Sequence, residues 1–310
     1  MNRLMIYSFF DTAGIVDDYV IYQLHAMRDI TSKIIVVVNG KLTKQSHTKL
    51  SKVCDDVILR DNYGFDAWGY KDALERIGYN NVAKYDELIC MNHTCFGPIF
   101  SVVDMFDKMA HQKCDWWSLY SDVCPQNPIP GRHLPSFFIV YRQSLTSSPA
   151  FREFWDTMPE ITSYSDDVLH YENRQTPFFD LRGFHYTTAF DMSRFDARPD
   201  NWPLTQTADI LMVDRVPFMK RRPFFIENGN IDGELYNYVI PYIRDNTDYD
   251  IQLIAQNLMR TQDIASIRVP SLLRQAKWWL FSPVVKKYRN RIKNIMTTKK
   301  FMEILGENNG

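Results

Sequence analysis

The chain has 310 residues, 45% hydrophobic and 14% aromatic, enough for one large α/β domain or two smaller ones with a sizeable core. A net charge of −1 argues against a basic nucleic-acid-binding domain, and five cysteines without CxxC spacing argue against a disulfide framework or a zinc knuckle. The total conceals an asymmetry: residues 264–302 hold ten Lys or Arg and no acid, while residues 1–263 carry 26 basic against 35 acidic groups.

Residues 3–10 (RLMIYSFF) read as the first strand, followed by a turn at 11–14. Asp17 or Asp18 is placed to cap a helix carrying Val16, Val20, Leu24 and Met27 inward. Residues 33–38 (KIIVVV) are near-continuously apolar, which suits a parallel strand covered on both faces. A short polar helix over 44–52 and a strand over 56–59 follow. After the turn Asp61, Asn62 and Gly64, Asp66 stands where an N-cap is expected, ahead of Ala67, Tyr70, Ala73, Leu74 and Ile77 at helical spacing. The strand 88–91 leads into a polar tip, Asn92-His93-Thr94, and then Gly97-Pro98. Strands alternating with helices predict a doubly wound, mostly parallel sheet, whose ligands bind at the carboxyl ends of the strands.

Further helices are expected over 98–109 and 147–158, strands over 114–119 and 136–141, and a loop over 121–133. The pattern loosens over 160–235, and 236–260 reads as a helix. The N-terminus moves straight into a strand, so no signal peptide is expected, and the longest clean apolar run, 34–38, is far short of a membrane span. The cysteines are expected to be reduced thiols of a cytosolic protein.

The runs GIVDDYVIYQLHAM, IIVVVNG, LRDNYGFDAWGYKDAL, NHTCFGP, HLPSFFIVY with SSPAFREFW, and PFMKRRPFF, taken in order, resemble the rhamnan synthesis protein F family over residues 5–226. The resemblance implies a GT-A-like, Rossmann-type mostly parallel α/β sheet flanked by helices. It also implies an enzyme of bacterial cell-surface polysaccharide assembly, in rhamnose–glucose polysaccharide, O-antigen or capsule pathways. The expected activity is a glycosyltransferase that moves a sugar, rhamnose favoured, from a nucleotide-diphosphate donor (dTDP-rhamnose or a UDP-sugar) to a lipid-linked oligosaccharide. The alternative is a non-catalytic GT-A-like subunit that binds sugar or partner enzymes.

On that resemblance Asp11 would meet the base or ribose, or simply close its turn. In the constellation Arg60, Asn62, Gly64 and Asp66, Arg60 would pair with phosphate, Gly64 would let the backbone come close to the ligand, and Asp66 would hold a ribose hydroxyl. Their other reading is an ordinary strand–turn–helix with a cap. Asn92 and Thr94 are the diphosphate-side candidates and, by position, the metal-site candidates. The family's acidic Asn-Asp-Ser tip is here Asn92-His93-Thr94, so a Mg²⁺ or Mn²⁺ ion would meet neutral oxygens there. Lys220 and Arg221, in the cluster with Arg222, would neutralise the departing diphosphate. An inverting transfer needs a carboxylate base. Glu172 is favoured, with Asp122, Asp166 and Asp167 as other candidates and His133 beside donor or acceptor.

The domain division expected is a GT-A-like domain over 1–263 and a basic amphipathic helical tail over 264–310. Trp278-Trp279 beside Lys277 suits a membrane interface. Each basic residue near an anionic surface contributes about 1 kcal/mol. The expected location is cytoplasmic and peripheral on the inner face of the plasma membrane, with no nucleic-acid partner.

Overall fold

The computed structural model describes residues 1–123, 131–196, 204, 206–225 and 235–262. The tail expected over 264–310 lies outside the described residues. The chain divides into two compact units. The first comprises Met1–Val16, Val20–His93 and Val102–Ala197; the second comprises Asp17–Tyr19, Thr94–Ser101 and Arg198–Gly310 as far as it is described.

The first unit is built on β1 (Arg3–Phe9), β2 (Lys33–Asn39), β3 (Asp56–Arg60), β4 (Glu87–Asn92), β6 (Trp116–Ser118), β7 (Phe138–Arg142) and β8 (Tyr186–Thr188); β5 (Cys95–Phe96) and β9 (Met219–Lys220) pair in the second unit. The large sheet runs β3-β2-β1-β4-β7-β6-β8. β1 to β4 are mutually parallel, β7 is antiparallel to β4 and to β6, and β8 is parallel to β6. This is the mostly parallel, helix-flanked α/β sheet expected. Every residue of β1 is buried, as is all of β2 except Lys33, because helices cover both faces of these strands. β3 is an edge strand, and its burial is patchy.

The helices that cover the sheet are α1 (Asp18–Arg28), α2 (Lys44–Leu50), α3 (Phe65–Ile77), α4 (Tyr79–Val82) and α5 (Val102–Ala110). One core joins Leu4 and Ile6 of β1, Ile35 and Val37 of β2 and Leu88 and Cys90 of β4 to Ala67, Tyr70, Ala73 and Leu74 of α3. Trp116, Tyr141, Phe151, Phe154, Trp155, Tyr171 and Phe179 extend it. Arg3 and Arg142 both reach Glu87, which is 2% exposed, so a buried carboxylate is matched by two guanidinium groups.

Several expected boundaries move. Asp66 is not the N-cap of α3. Gly64 holds that position with φ +64° and no side chain to cap with, so Asp66 falls in the first turn and its carboxylate is released toward the sheet. The helix expected over 147–158 forms as α7 (Pro149–Asp156), started by the Ser148 cap ahead of Pro149, and a short helix that was not expected, α6 (Gln143–Thr146), precedes it. The loosened stretch holds a helical run: α8 (Tyr164–Asp167), a π-helical turn Val168–Glu172 and α9 (Asn173–Asp180). The helix expected over 236–260 is interrupted, with helices at Ile240–Asn246 and Gln252–Thr261.

Candidate functional site

The strand period of two explains the site. Leu4 and Ile6, Ile35 and Val37, Leu88 and Cys90, and Ile58 face the α3 side of the sheet. The next residues in phase, at the carboxyl ends of the same strands, are polar: Ser8 on β1, Asn39 on β2, Asn92 on β4 and Arg60 on β3. Register aligns them in pairs, Ser8 with Asn92 and Asn39 with Arg60. Four adjacent strands thus each end in a polar side chain on the face that α3 covers.

These side chains form one connected chain. Arg60 donates to Asp72 (2.5 Å), to the Asn39 amide oxygen (2.5 Å) and to the Tyr63 carbonyl (2.9 Å). The Asn39 amide donates to Ser8 Oγ at 3.2 Å. Ser8 donates to Asp66 Oδ1 and Asn92 donates to Asp66 Oδ2, both at 2.6 Å. Gly69 lets α3 pass close above: a Cβ there would stand 3.4 Å from the Asn39 amide and 3.5 Å from Ser8 Oγ. Ser8 and Asn39 were not singled out from sequence. The available signal was the polar residue in phase with the apolar face at the end of an apolar strand.

A second cluster lies in the same unit. The backbones of Asp122 and His133 exchange two hydrogen bonds of 2.9 Å, an isolated antiparallel bridge. His133 Nε2 lies 3.6 Å from Glu172 Oε1. The Ser136 N–H (2.8 Å) and hydroxyl (2.7 Å) both donate to Glu172 Oε2. The structure therefore brings Glu172, His133 and Asp122 together. Burial pushes the Glu172 carboxyl up, but the His133 ring and the two Ser136 donors outweigh it and hold it below the usual carboxylate range.

Asp167 joins the two clusters electrostatically. It is 8% exposed, and its Oδ1 has no hydrogen-bond partner among the described residues. Burial, then the charges of Asp66 and Glu172, push its carboxyl up to about 8, against the pull of the Ala67 N–H at the start of α3. Asp166 is different. It accepts from Thr162 and Ser163 in a capping box that starts α8, and those hydrogen bonds lower its carboxyl to about 2.

The remaining expected residues fall elsewhere. Asp11 Oδ1 accepts the Ala13 and Ile15 N–H groups (2.9 and 3.0 Å), closing the turn after β1. Asn62 is exposed in the turn after β3. The ring of His93 meets that of Phe9 edge-on at 5.4 Å. Thr94, Lys220 and Arg221 belong to the second unit. There Lys220 pairs in register with Cys95, the Arg221 N–H donates to the Thr94 carbonyl (3.0 Å) and the Arg221 guanidinium donates to the Tyr19 hydroxyl (2.7 Å).

A divalent cation fits the tip poorly. Among the described residues, the carboxylate that Asn92 donates to is that of Asp66, and both its oxygens already accept hydrogen bonds. No group of three or more His, Cys, Asp or Glu residues among those described is arranged to hold a metal. Hard cations favour several anionic oxygens.

The rhamnan synthesis protein F family matches the chain over residues 34–302. The chain belongs to this family. One relative of this chain, an uncharacterized protein y4gN of Sinorhizobium fredii (strain NBRC 101917 / NGR234), is 24% identical over 157 residues, 51% of this chain and 40% of that protein. The chain thus matches less than half the length of that relative. Among solved structures, a CMP:2-keto-3-deoxy-manno-octonic acid synthetase complexed with CTP aligns at a TM-score of 0.37 and 10% identity, over 62% of this chain and 90% of that one. A cytidylyltransferase from Leptospira borgpetersenii serovar Hardjo-bovis (strain JB197) aligns at 0.33 and 14%, over 64% and 77%. Glucosyl-3-phosphoglycerate synthase from Mycobacterium tuberculosis, solved with Mn²⁺, uridine diphosphate and glucosyl-3-phosphoglycerate, aligns at 0.31 and 9%, over 46% and 57%. Membership in the rhamnan synthesis family rests on the family match alone.

Proposed function

We propose that this chain is a nucleotide-sugar-using glycosyltransferase of polysaccharide synthesis, and that the crevice at the carboxyl ends of β1 to β4 binds its donor. The carrying observation is the unbroken polar chain Asp72–Arg60–Asn39–Ser8–Asp66–Asn92, laid across four strand ends where open α/β sheets bind ligands. Asp66 is the pivot. Its carboxylate suits a sugar or ribose hydroxyl, and Ser8 and Asn92 hold it in place. Membership in a rhamnan synthesis family supports rhamnose as the sugar, with dTDP-rhamnose or a UDP-sugar as donor.

In this reading Glu172 is the base. Its ionised carboxylate takes the proton of the acceptor hydroxyl as the acceptor oxygen bonds to the sugar's anomeric carbon. As that bond forms, the bond from the anomeric carbon to the nucleoside diphosphate breaks, and the diphosphate leaves with the electron pair. Ser136 and His133 orient the carboxylate. A lipid-linked oligosaccharide is the acceptor class proposed. The basic segment 264–310 would hold the protein on an anionic inner-leaflet surface; that role rests on sequence, and no described helix is long and apolar enough to cross a membrane.

One observation favours a second reading, a non-catalytic sugar- or partner-binding subunit: the tip Asn92-His93-Thr94 carries no carboxylate. Sugar transfer from dTDP-rhamnose or a UDP-sugar to a lipid-linked acceptor separates the two. Turnover that is lost in Asp66→Ala supports the enzyme. Donor binding without turnover in the wild type supports the subunit.

A further inference from the structure

Between Arg60 and Lys71 the chain builds a stack of alternating chemistry. The Arg60 guanidinium lies 4.0 Å from the centroid of the Tyr63 ring, the Tyr63 and Trp68 rings are 5.8 Å apart, and the Lys71 ammonium sits 4.6 Å over Trp68. The Trp68 indole N–H also donates to the Pro159 carbonyl at 3.3 Å. Gly64 lies under the indole, where a Cβ would come within 2.3 Å of the ring. The turn is therefore held firmly.

Phe65 takes no part in that stack. Its φ is +53°, the left-handed region that a bulky side chain avoids. The residue is 40% exposed, and its ring makes no ring contact and no cation–π contact with any described residue. The other described non-glycine residue with positive φ, Arg215, at least lies over the Phe100 ring at 4.2 Å. A glycine would fill position 65 without strain, as Gly64 does one residue earlier. Neither packing nor backbone preference explains a phenylalanine here, yet it directly precedes the pivotal Asp66. Strain that the surrounding structure enforces next to a ligand site points to a role in the site.

We propose that Phe65 is a ring-stacking contact of the crevice, held in the left-handed conformation by the Tyr63–Trp68 stack so that it presents its face to a ring of the bound nucleotide-sugar. The proposal rests on the donor-site reading above. A phenyl face offers dispersion and desolvation but no hydrogen bond, so it selects a flat surface: the nucleobase or the C–H face of the sugar. Both rings belong to the same ligand.

The test compares wild type, Phe65→Gly and Phe65→Tyr in thermal unfolding and in calorimetric titration with the nucleoside diphosphate and the nucleotide-sugar. Phe65→Gly should raise the melting temperature by about 2–4 °C through relief of strain. The same variant should bind the nucleotide-sugar about tenfold more weakly or worse. Phe65→Tyr should bind as the wild type does. An equal loss with the nucleoside diphosphate makes the base the stacked ring, and a loss confined to the nucleotide-sugar makes it the sugar. If wild type binds and Phe65→Gly binds equally well, the contact is overturned and the donor site stands. If Phe65→Gly loses both melting temperature and affinity, Phe65 is a structural residue and the proposal fails. If wild type binds none of these ligands, the donor site fails and the stacking contact falls with it.

Discussion

The Asn92 side-chain amide donates to Asp66 Oδ2 across 2.6 Å, joining the tip of β4 to the first turn of α3. The bond supplies in space the carboxylate that the tip lacks in sequence. Asp66→Ala would leave two buried donors, Ser8 Oγ–H and Asn92 Nδ2–H, without their acceptor. That should cost about 1–3 kcal/mol in chemical denaturation. A variant as stable as the wild type would mean that the network is not formed.

Replacing Asn92 by Asp sets a second carboxylate against the first. Two such groups in contact share a proton or bind a cation. Asn92→Asp should therefore melt at a temperature that rises with added Mn²⁺, whereas the wild type without ligand should not respond. An equal Mn²⁺ response in both proteins would contradict the reading of the tip as unsuited to a protein-held cation.

Asp167 makes stability depend on pH. Its carboxyl titrates at about 8 in the folded chain, above the usual Asp value, so the folded state holds its proton more tightly. That contribution is fully present below the unfolded value near 3.8 and is lost as pH climbs toward 8. The slope over that window is at most about 1.4 kcal/mol per pH unit. Asp167→Asn mimics the protonated form, so its stability should fall less than the wild type's between pH 5 and pH 8. Parallel profiles would show that Asp167 is not the titrating group.

Glu172 is held by two Ser136 donors with the His133 ring beside it and kept ionised, the state a base needs. Glu172→Gln should reduce turnover by about 10²–10⁴-fold while leaving donor affinity near that of the wild type. A variant with undiminished turnover would move the base elsewhere.

Glu87 tests the scaffold away from the crevice. Its carboxylate is buried between Arg3 (2.6 Å) and Arg142 (3.3 Å). Glu87→Ala leaves both cations without it and should cost about 3–5 kcal/mol in denaturant unfolding.

Much of this was readable from residues alone. β1, β2 and β4 stand out because parallel strands covered on both faces are apolar throughout, and the resemblance read from residues 5–226 agrees with the family match over 34–302. Arg60, Asp66 and Asn92 were singled out, but Ser8 and Asn39 were not, since one polar residue closing an apolar run looks like a strand ending. The start of α3 was misplaced because Gly64 and Phe65 both take the left-handed conformation, which sequence spacing does not report. The run from Tyr164 to Asp180 was obscured because a π-helical turn shifts the period of 3.6 and Pro177 sits inside the last helix. Asp166 and Asp167 are neighbours in sequence, yet one is the half-buried third residue of a capping box and the other a buried acid, a difference made by packing.

The central claim is that the crevice around Asp66 binds a nucleotide-sugar donor. The most direct measurement is a thermal-shift panel with dTDP, UDP, GDP and CMP on the wild type and on Asp66→Ala. One nucleotide at 100 times its dissociation constant should stabilise the wild type by about 2.7 kcal/mol and should not stabilise Asp66→Ala. No shift with any of the four, or the same shift in both proteins, would contradict it.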